Sequence, residues 1–116
     1  MPNQILRKTV RNILQSGLTI HLMQAGGGEL KLKGYKHKPL PERNWKILTE
    51  ENKIIALSEW AEWVFEGGKA EVHGFYVNDK VGDTLWKEKF KEGPYEILRK
   101  DDKLRIRPKI AFGEDS

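Results

Sequence analysis

Two strand-like runs on either side of a polar turn place the strongest limit on what this chain can fold into. They form the stretch VHGFYVNDKVGDTLWKEKF, residues 72–90. Residues 72–77 and 84–90 are rich in aromatic and β-branched side chains, which favour strands, whereas residues 78–83 contain the asparagine, aspartate and glycine that favour turns. We therefore predict a β-hairpin in this part of the chain.

The hairpin supplies the residues that we predict for the structural core. These are Gly74, Tyr76, Trp86 and Phe90. Large aromatic side chains bury much apolar area and therefore dominate the packing of small domains. A glycine inside a strand often marks a place where a large neighbour approaches the backbone closely, and we expect that neighbour of Gly74 to be Trp86.

Alternation of apolar and polar residues indicates a further strand near the end of the chain. From Leu104 to Phe112, apolar residues occupy every second position, and Arg105, Arg107 and Lys109 lie between them. Pro108 falls inside this run. Because proline cannot donate a hydrogen bond to a neighbouring strand, Pro108 predicts either an edge strand or a change of pairing partner.

Three other segments indicate strands less directly. Residues 18–23 alternate apolar and polar side chains, with His21 on the polar side, as is typical of a half-buried strand. Residues 29–35 follow the flexible turn Ala25–Gly28 and are also strand-like. Residues 60–65 fit either a helix face or a strand, and the strands predicted on both sides favour the strand.

The N-terminal segment predicts a short amphipathic helix. Its apolar side chains follow helical spacing and are Ile5, Leu6, Val10, Ile13 and Leu14. Asn3 can cap the start of the helix, and Gly17 can end it. The opposite face carries Arg7, Lys8 and Arg11, which we interpret as a solvated surface and as possible partner-binding residues. Basic amphipathic helices that bind membranes or nucleic acids are the alternative interpretation.

Short strands separated by glycine or asparagine–aspartate turns predict a mainly β fold, either a sandwich or a barrel. We prefer an antiparallel β-sandwich, jelly-roll-like, with a short N-terminal helix. The 116 residues suffice for one hydrophobic core, so we predict a single domain. It would consist of a helical arm at residues 1–17, a β core at residues 18–113 and a polar tail at residues 114–116.

The residue types that are missing exclude several classes of protein. Cysteine is absent, which excludes disulfides, thiolate catalysis and cysteine-ligated metals, so the stability of the fold has to come from packing. No run of about 18 apolar residues occurs, and the first residues lack the apolar centre of a signal peptide. We therefore expect a chain that neither spans a membrane nor is evidently secreted.

Few residues are candidates for catalysis or metal binding. His21, His37 and His73 lie in separate segments and could converge as a metal triad. Two of them fall on the polar side of alternating strands, where a solvated histidine is the ordinary outcome. Asp79 and Asp83 fall in the predicted turn, where aspartate bonds to nearby backbone groups. Since no nucleophile or zinc-protease motif occurs, we expect no catalytic residue, no metal, no cofactor and no enzymatic activity.

The charge balance is mildly basic and compatible with an acidic partner. Lysine and arginine number 21 against 17 for aspartate and glutamate, a net charge of +4. Arg105, Arg107 and Lys109 could contact phosphates while aromatic residues of the hairpin stack on bases. Acidic residues interrupt the basic ones throughout, which is typical of a mixed-charge solvated surface. We expect no specific nucleic-acid partner and keep a small nucleic-acid-binding barrel as an alternative.

Several motifs of the chain occur together in one known family. They are Gly74-Phe75-Tyr76-Val77, Asp83, Leu85-Trp86-Lys87-Glu88-Lys89-Phe90, Gly93-Pro94 and Arg107-Pro108-Lys109-Ile110. Upstream, LTIHLM at residues 18–23 and GYKHKPLPERNW at residues 34–45 also fit. In this order the motifs resemble a family of small β-rich proteins encoded by tailed bacteriophages. The resemblance covers most of the chain and is strongest in its closing part.

The resemblance implies a structural protein of the virion, with a capsid cement or decoration role as the leading choice. The implied partner is the major capsid protein, together with other copies of the same chain in a dimer or trimer. The implied location is the capsid exterior, and the host cytoplasm during assembly. A head–tail or tail component is the alternative. The chain departs from the family in its short Ala25–Gly28 turn and in its more basic composition.

Overall fold

The computed structural model describes residues 3–113, so the predicted polar tail at residues 114–116 lies outside the described residues. The fold is mainly β, with one N-terminal helix, as predicted. The elements are α1 Asn3–Gln15, β1 Leu18–Met23, β2 Lys38–Leu40, a 3₁₀ turn Glu42–Asn44, β3 Trp45–Glu50, β4 Lys53–Ser58, β5 Ala61–Val64, β6 Ala70–Val72, β7 Gly74–Asn78, β8 Thr84–Lys89, β9 Tyr95–Ile97, β10 Lys103–Ile106 and β11 Lys109–Gly113.

The predicted hairpin is confirmed. β7 and β8 pair antiparallel, with a register shift after Val77. Asp79 stabilises the turn, because its carboxylate accepts hydrogen bonds from the backbone N–H groups of Val81 and Asp83 at 3.0 and 2.9 Å. The strand before the turn is divided at His73. β6 pairs with β9, whereas β7 pairs with β1 and β8.

The strands form four antiparallel sheets. Their orders are β2-β1-β7-β8, β11-β4-β3, β10-β5 and β6-β9. The change of partner predicted at Pro108 is confirmed, because β10 pairs with β5 before it and β11 pairs with β4 after it. The Ser58 N–H donates to the Pro108 carbonyl at 2.9 Å, which joins the two pairings into one long ribbon.

One cluster of buried side chains connects the helix and all four sheets. Among its members are Val10, Leu14, Leu18, Ile20, Leu40, Ile54, Trp63, Val72, Phe75, Val77, Ile97, Ile106 and Ile110. α1 packs on β3, β4 and β11 and is followed by Gly17 at a positive φ, as predicted. The apolar stripe of α1 is narrower than predicted, because the side chain of Ile5 is 55% exposed. The predicted cap residue Asn3 has no described side chain.

The segment between β1 and β2 differs from the prediction. We predict a strand at residues 29–35, but only Glu29 forms an isolated bridge, to Met23. Positive φ angles at Gly26 and Gly27 make the tight turn that precedes it. The strand preferred for residues 60–65 is confirmed as β5. Its alternation is regular, so that one side chain in two enters the core.

The hairpin contributes less to the core than predicted. Trp86 and Phe90 are only partly buried against the core cluster, because β8 is the edge strand of its sheet. Tyr76 points to the opposite face of the sheet and stacks on His21. Gly74 is buried, but Trp86 is not its close neighbour. A Cβ at position 74 would meet the Glu88 carbonyl at 2.1 Å and the methyl of Met23 at 2.7 Å.

Candidate functional site

The polar face of β1 is covered by protein. We predict a solvated histidine at position 21, but His21 is buried, with 8% of its surface exposed. Residues 29–37 fold over this face, and Tyr76 covers the ring of His21 from β7. The alternation of β1 therefore identifies the polar face correctly, but His21 on that face is buried among polar groups.

Backbone pairing on both sides of His21 positions the cluster. The Leu30 N–H donates to the Leu22 carbonyl at 2.8 Å, which places Glu29 against one end of β1. β2 pairs with the other end in the register Ile20 opposite Lys38, which places His37 next to His21. The segment between them leaves the strand edge, and the hydroxyl of Tyr35 fills the gap by accepting the Leu22 N–H at 2.9 Å.

Two imidazoles and one carboxylate converge at this point. Nδ1 of His21 lies 2.7 Å from Oε2 of Glu29, and Nδ1 of His37 lies 3.5 Å from the same oxygen. The two rings are tilted by 32°, with centroids 4.4 Å apart. The three atoms lie within 4.8 Å of one another, so a single ion or proton network can connect them. We call His21, Glu29 and His37 the polar cluster.

Neighbouring side chains fix the orientation of the polar cluster. The hydroxyl of Tyr35 donates to Oε2 of Glu29 at 2.7 Å, and Oγ1 of Thr19 lies 2.8 Å from Nε2 of His21. The ring of Tyr76 stacks on His21 with an interplanar angle of 1° and a centroid distance of 4.8 Å. Both ring nitrogens of His21 are thus engaged, and the plane of its ring is fixed.

The electrostatics of the cluster keep Glu29 ionised. Burial by itself raises the pKa of Glu29, but the hydrogen bonds from Tyr35 and His21 and the nearby imidazoles outweigh it and hold the pKa below 4.5. Burial and the carboxylate of Glu29 raise the pKa of Tyr35 far above its ordinary value of 10.0. Tyr35 therefore remains a hydroxyl donor, and burial likewise raises the pKa of Tyr76.

A groove connects the polar cluster to solvent. It has a volume of about 360 Å³ and is lined by Glu29, Leu30, Tyr35, Lys36 and His37. Two imidazole nitrogens and a carboxylate oxygen are ligands suited to zinc and other first-row divalent metals. The same groups also make a hydrogen-bonded network without a metal. His73 is not part of the cluster, since its Nε2 lies 3.3 Å from Glu71.

A second feature lies on the solvent side of the β5–β10 pair. Trp60 and Val64 are 52% and 49% exposed, and the guanidinium of Arg105 lies 4.9 Å from the centre of the Trp60 ring. Glu62 is paired with Arg105 in the strand register and lies 3.6 Å from it. We call Trp60, Glu62, Val64 and Arg105 the ribbon face. The ribbon face combines exposed apolar area with an arginine that contacts both Trp60 and Glu62.

The basic residues predicted as an alternative phosphate-binding set are separated by the fold. Arg105 belongs to the ribbon face, whereas Lys109 lies on β11 and pairs with Glu50 at 3.3 Å. Nε of Arg107 donates to the Ser58 carbonyl at 2.8 Å, so Arg107 helps to join the two sheets of the long ribbon. The three side chains are therefore each engaged by a different part of the protein.

The basic residues of α1 differ in exposure. Arg7, which we predict to be solvated, is half-buried and donates to the hydroxyl of Thr49 on β3. Arg7 and Arg11 line a small cavity of about 160 Å³ that also contains Glu42. Lys8 and Arg11 are exposed and remain available as possible partner-binding residues.

Sequence reasoning missed Glu29, Tyr35 and the exposure of Trp60. Glu29 and Tyr35 reach the polar cluster through pairings with β1 that no local pattern shows. A signal for Trp60 was present, because in a strand the buried Trp63 and the preceding Trp60 must face opposite sides. The same alternation places Glu62 and Val64 beside Trp60 on the outer side.

Comparison with known proteins identifies no relative. No protein family, no curated protein and no solved structure matches the chain. Among residues 3–113, no helix combines the length and apolar character that crossing a membrane requires.

Proposed function

We propose that the protein is a non-enzymatic structural component of a tailed-bacteriophage virion that binds the outer surface of the head as a cement protein. The observation that carries this proposal is the ribbon face. Trp60, directly before β5, exposes half of its surface, the guanidinium of Arg105 lies 4.9 Å from the centre of its ring, and Glu62 lies 3.6 Å from Arg105. Tryptophan and arginine are the residues most enriched among those that dominate protein interfaces.

The position of the ribbon face suits an interface. β5 and β10 are held by backbone hydrogen bonds, and the inner side chains Trp63 and Ile106 are buried in the core. A partner would therefore meet a backbone that is already ordered, which lowers the entropic cost of binding. Val64 adds exposed apolar area on the same side of β5, beyond Glu62.

The fold and the resemblance support a role in the virion. The motifs in the closing part of the chain that resemble tailed-phage proteins build β7, β8 and the strands around Pro108. The proposal includes a jelly-roll-like sandwich in which the β2-β1-β7-β8 sheet faces the long ribbon, consistent with one core cluster shared by both. The molecule is elongated, with extents of 49 × 26 × 21 Å, a shape that suits contact with more than one subunit.

Repetition of one site over a shell would give firm attachment. Each contact need only be moderate, because linked copies bind with an avidity above that of one copy. Association into a dimer or trimer at a symmetry axis would supply that linkage. The net charge of +4 favours an acidic outer shell. The proposed location is the capsid exterior, reached from the host cytoplasm during assembly.

The test is co-sedimentation of the purified chain with expanded, empty capsids of the phage that encodes it. Binding should persist at about 150 mM salt, because burial of apolar area is hardly screened. Trp60→Ala should weaken binding at least about 30-fold, as a dominant interface residue does. Leu98→Ala is the matched control, since Leu98 is equally exposed at 53% but lies outside the ribbon face.

Each alternative has its own outcome in the same experiment. Association with purified tails or connectors but not with capsids would assign the protein to another part of the virion. Tight binding of single-stranded DNA that weakens steeply with salt, without capsid binding, would favour the nucleic-acid alternative. Capsid binding that Trp60→Ala leaves unchanged would show that another surface, for example Lys8 and Arg11, makes the contact.

A further inference from the structure

We propose that the polar cluster is a binding site for one divalent transition-metal ion of the zinc class, with Nδ1 of His21, Oε2 of Glu29 and Nδ1 of His37 as the ligands. The inference goes beyond the proposed function and does not depend on it. It rests on the convergence of His21, Glu29 and His37, each of which offers a ligand atom within 4.8 Å of the other two, and on the groove open to solvent that Glu29 and His37 line.

The donor distances are close to those of a metal site. Ligands that bind zinc at about 2.0–2.2 Å lie roughly 3–3.5 Å apart when they share the ion. Glu29 is 2.7 Å from His21 and 3.5 Å from His37, so a shift of a few tenths of an ångström at Glu29 and an approach of the exposed His37 ring would complete the set. The ion would replace the proton that now lies between His21 and Glu29.

The surrounding groups match those that support metal-binding histidines. A histidine that binds a metal through one nitrogen usually donates from the other nitrogen to a protein oxygen. Nε2 of His21 has that partner in Thr19, at 2.8 Å. The hydroxyl of Tyr35 donates to Glu29, and this orients the carboxylate while leaving it ionised.

Two of the three ligands are held next to β1, and the third has an exposed side chain. His21 is central in β1 under the ring of Tyr76, and Glu29 is bridged to Met23. His37 has a side chain 53% exposed, but Nε1 of Trp63 donates to the carbonyl of the adjacent Lys36 at 2.9 Å. The backbone beside His37 is thus fixed while its ring can turn toward the ion.

The choice of metal follows from the ligands. Imidazole nitrogen suits zinc, cobalt, nickel and copper, whereas calcium and magnesium prefer sites made only of oxygen. Three protein ligands leave one tetrahedral position for water, and that position would face the groove. The ion would join the ends of residues 29–37 to β1, so metal binding should stabilise this segment.

The experiment is a titration of the chain, prepared without a histidine tag, with Zn²⁺ by calorimetry and with Co²⁺ by visible absorption. We expect saturable binding of one ion per chain, a cobalt spectrum of a four-coordinate site, a higher melting temperature with Zn²⁺, and no competition from excess Mg²⁺. His37→Ala should weaken Zn²⁺ binding at least about 100-fold, since even supporting residues of metal sites contribute 10–100-fold.

Two measurements separate metal binding from a purely structural role. His37→Ala should lower the metal-free melting temperature only slightly, because the side chain is 53% exposed and its contacts are the 3.5 Å approach to Glu29 and the tilted packing on the ring of His21. His73→Ala, the matched control, should retain the full Zn²⁺ affinity, because His73 is paired with Glu71 outside the cluster. Weak, unsaturable binding, or equal Zn²⁺ affinity in the His37 variant and the parent chain, would overturn the proposal.

Discussion

The polar cluster and the ribbon face differ in what covers them. The cluster joins the buried His21 to the partly exposed Glu29 and the exposed His37, and it is hydrogen-bonded by Tyr35 at Glu29 and by Thr19 at His21. The ribbon face leaves a tryptophan half exposed directly before β5, where no segment of the described chain covers it. Polar groups that hydrogen-bond to one another within the chain need no binding partner. An uncovered apolar surface, in contrast, indicates an interface with a partner.

Trp63 connects the two regions. Its ring is buried beneath the ribbon face, and its Nε1 donates to the carbonyl of Lys36, next to His37. The strand that directly follows Trp60 therefore also anchors the segment that covers β1. Substitution of the inner residue Trp63 should therefore affect both the polar cluster and the ribbon face. Substitution of the outer residue Trp60 should affect only the ribbon face.

The largest predicted effect is a difference in stability between substitutions on the inner and outer sides of β5. Trp63→Ala should lower the free energy of unfolding by about 3–5 kcal/mol, because it removes a buried aromatic side chain and leaves a cavity. Trp60→Ala should cost no more than about 1 kcal/mol, the value of an exposed cation–π contact. Chemical denaturation of both variants measures the difference. Equal losses would mean that Trp60 is a core residue and would remove the argument for the ribbon face.

Much of the fold was predictable because local sequence periodicity indicates its elements. The hairpin, α1 and the change of partner at Pro108 follow from spacing or from the chemistry of one residue, whereas β5 followed only from the strands predicted on both sides of it. What covers each strand face was not predictable, because it depends on pairing between distant segments. His21 was placed on the correct side of β1, but its burial is due to Glu29 and Tyr35, which lie 8 and 14 residues further along.

The second prediction concerns the sheet that supports the polar cluster. Gly74→Ala should destabilise the protein by about 1–3 kcal/mol or more, as overpacking does. The added methyl would meet backbone atoms of Glu88 and Lys89 that cannot move aside. Gly28→Ala is the control, since its Cβ would meet only the side chain of Gln24 at 4.0 Å. Thermal melting of the two variants should differ clearly, and a neutral Gly74 variant would contradict the close packing of β7 on β8.

The third prediction concerns the hydroxyl of Tyr35, which connects the segment that covers the polar cluster to β1. Tyr35→Phe should cost about 1–3 kcal/mol, because the Leu22 N–H would lose its acceptor in a covered position. The matched control is Tyr95→Phe, whose hydroxyl donates to the Lys103 carbonyl at an exposed site where water can replace it. Urea denaturation compares the two. A Tyr35 variant as stable as the Tyr95 variant would show that water reaches the edge of β1.

The smallest effect concerns the turn that closes the end of the ribbon. The carboxylate of Asp102 accepts the N–H groups of Leu98 and Arg99 at 2.8 and 3.0 Å, and its carbonyl accepts the Phe65 N–H at 2.9 Å. The backbone hydrogen bonds lower the pKa of Asp102 below its ordinary value of 3.8.

Because the folded-state pKa of Asp102 is depressed, the ionised carboxylate stabilises the turn above pH 3.8, and this contribution is lost as the pH falls through the lower folded-state pKa. The amide signals of Leu98 and Arg99 should therefore titrate together in NMR spectra, with a midpoint below pH 3.8. In Asp102→Asn this shared titration should disappear while the β5–β10 pairing is retained. A midpoint at or above the ordinary value would show that solvent competes successfully for the carboxylate, and that this end of the ribbon is looser than the part that carries Trp60.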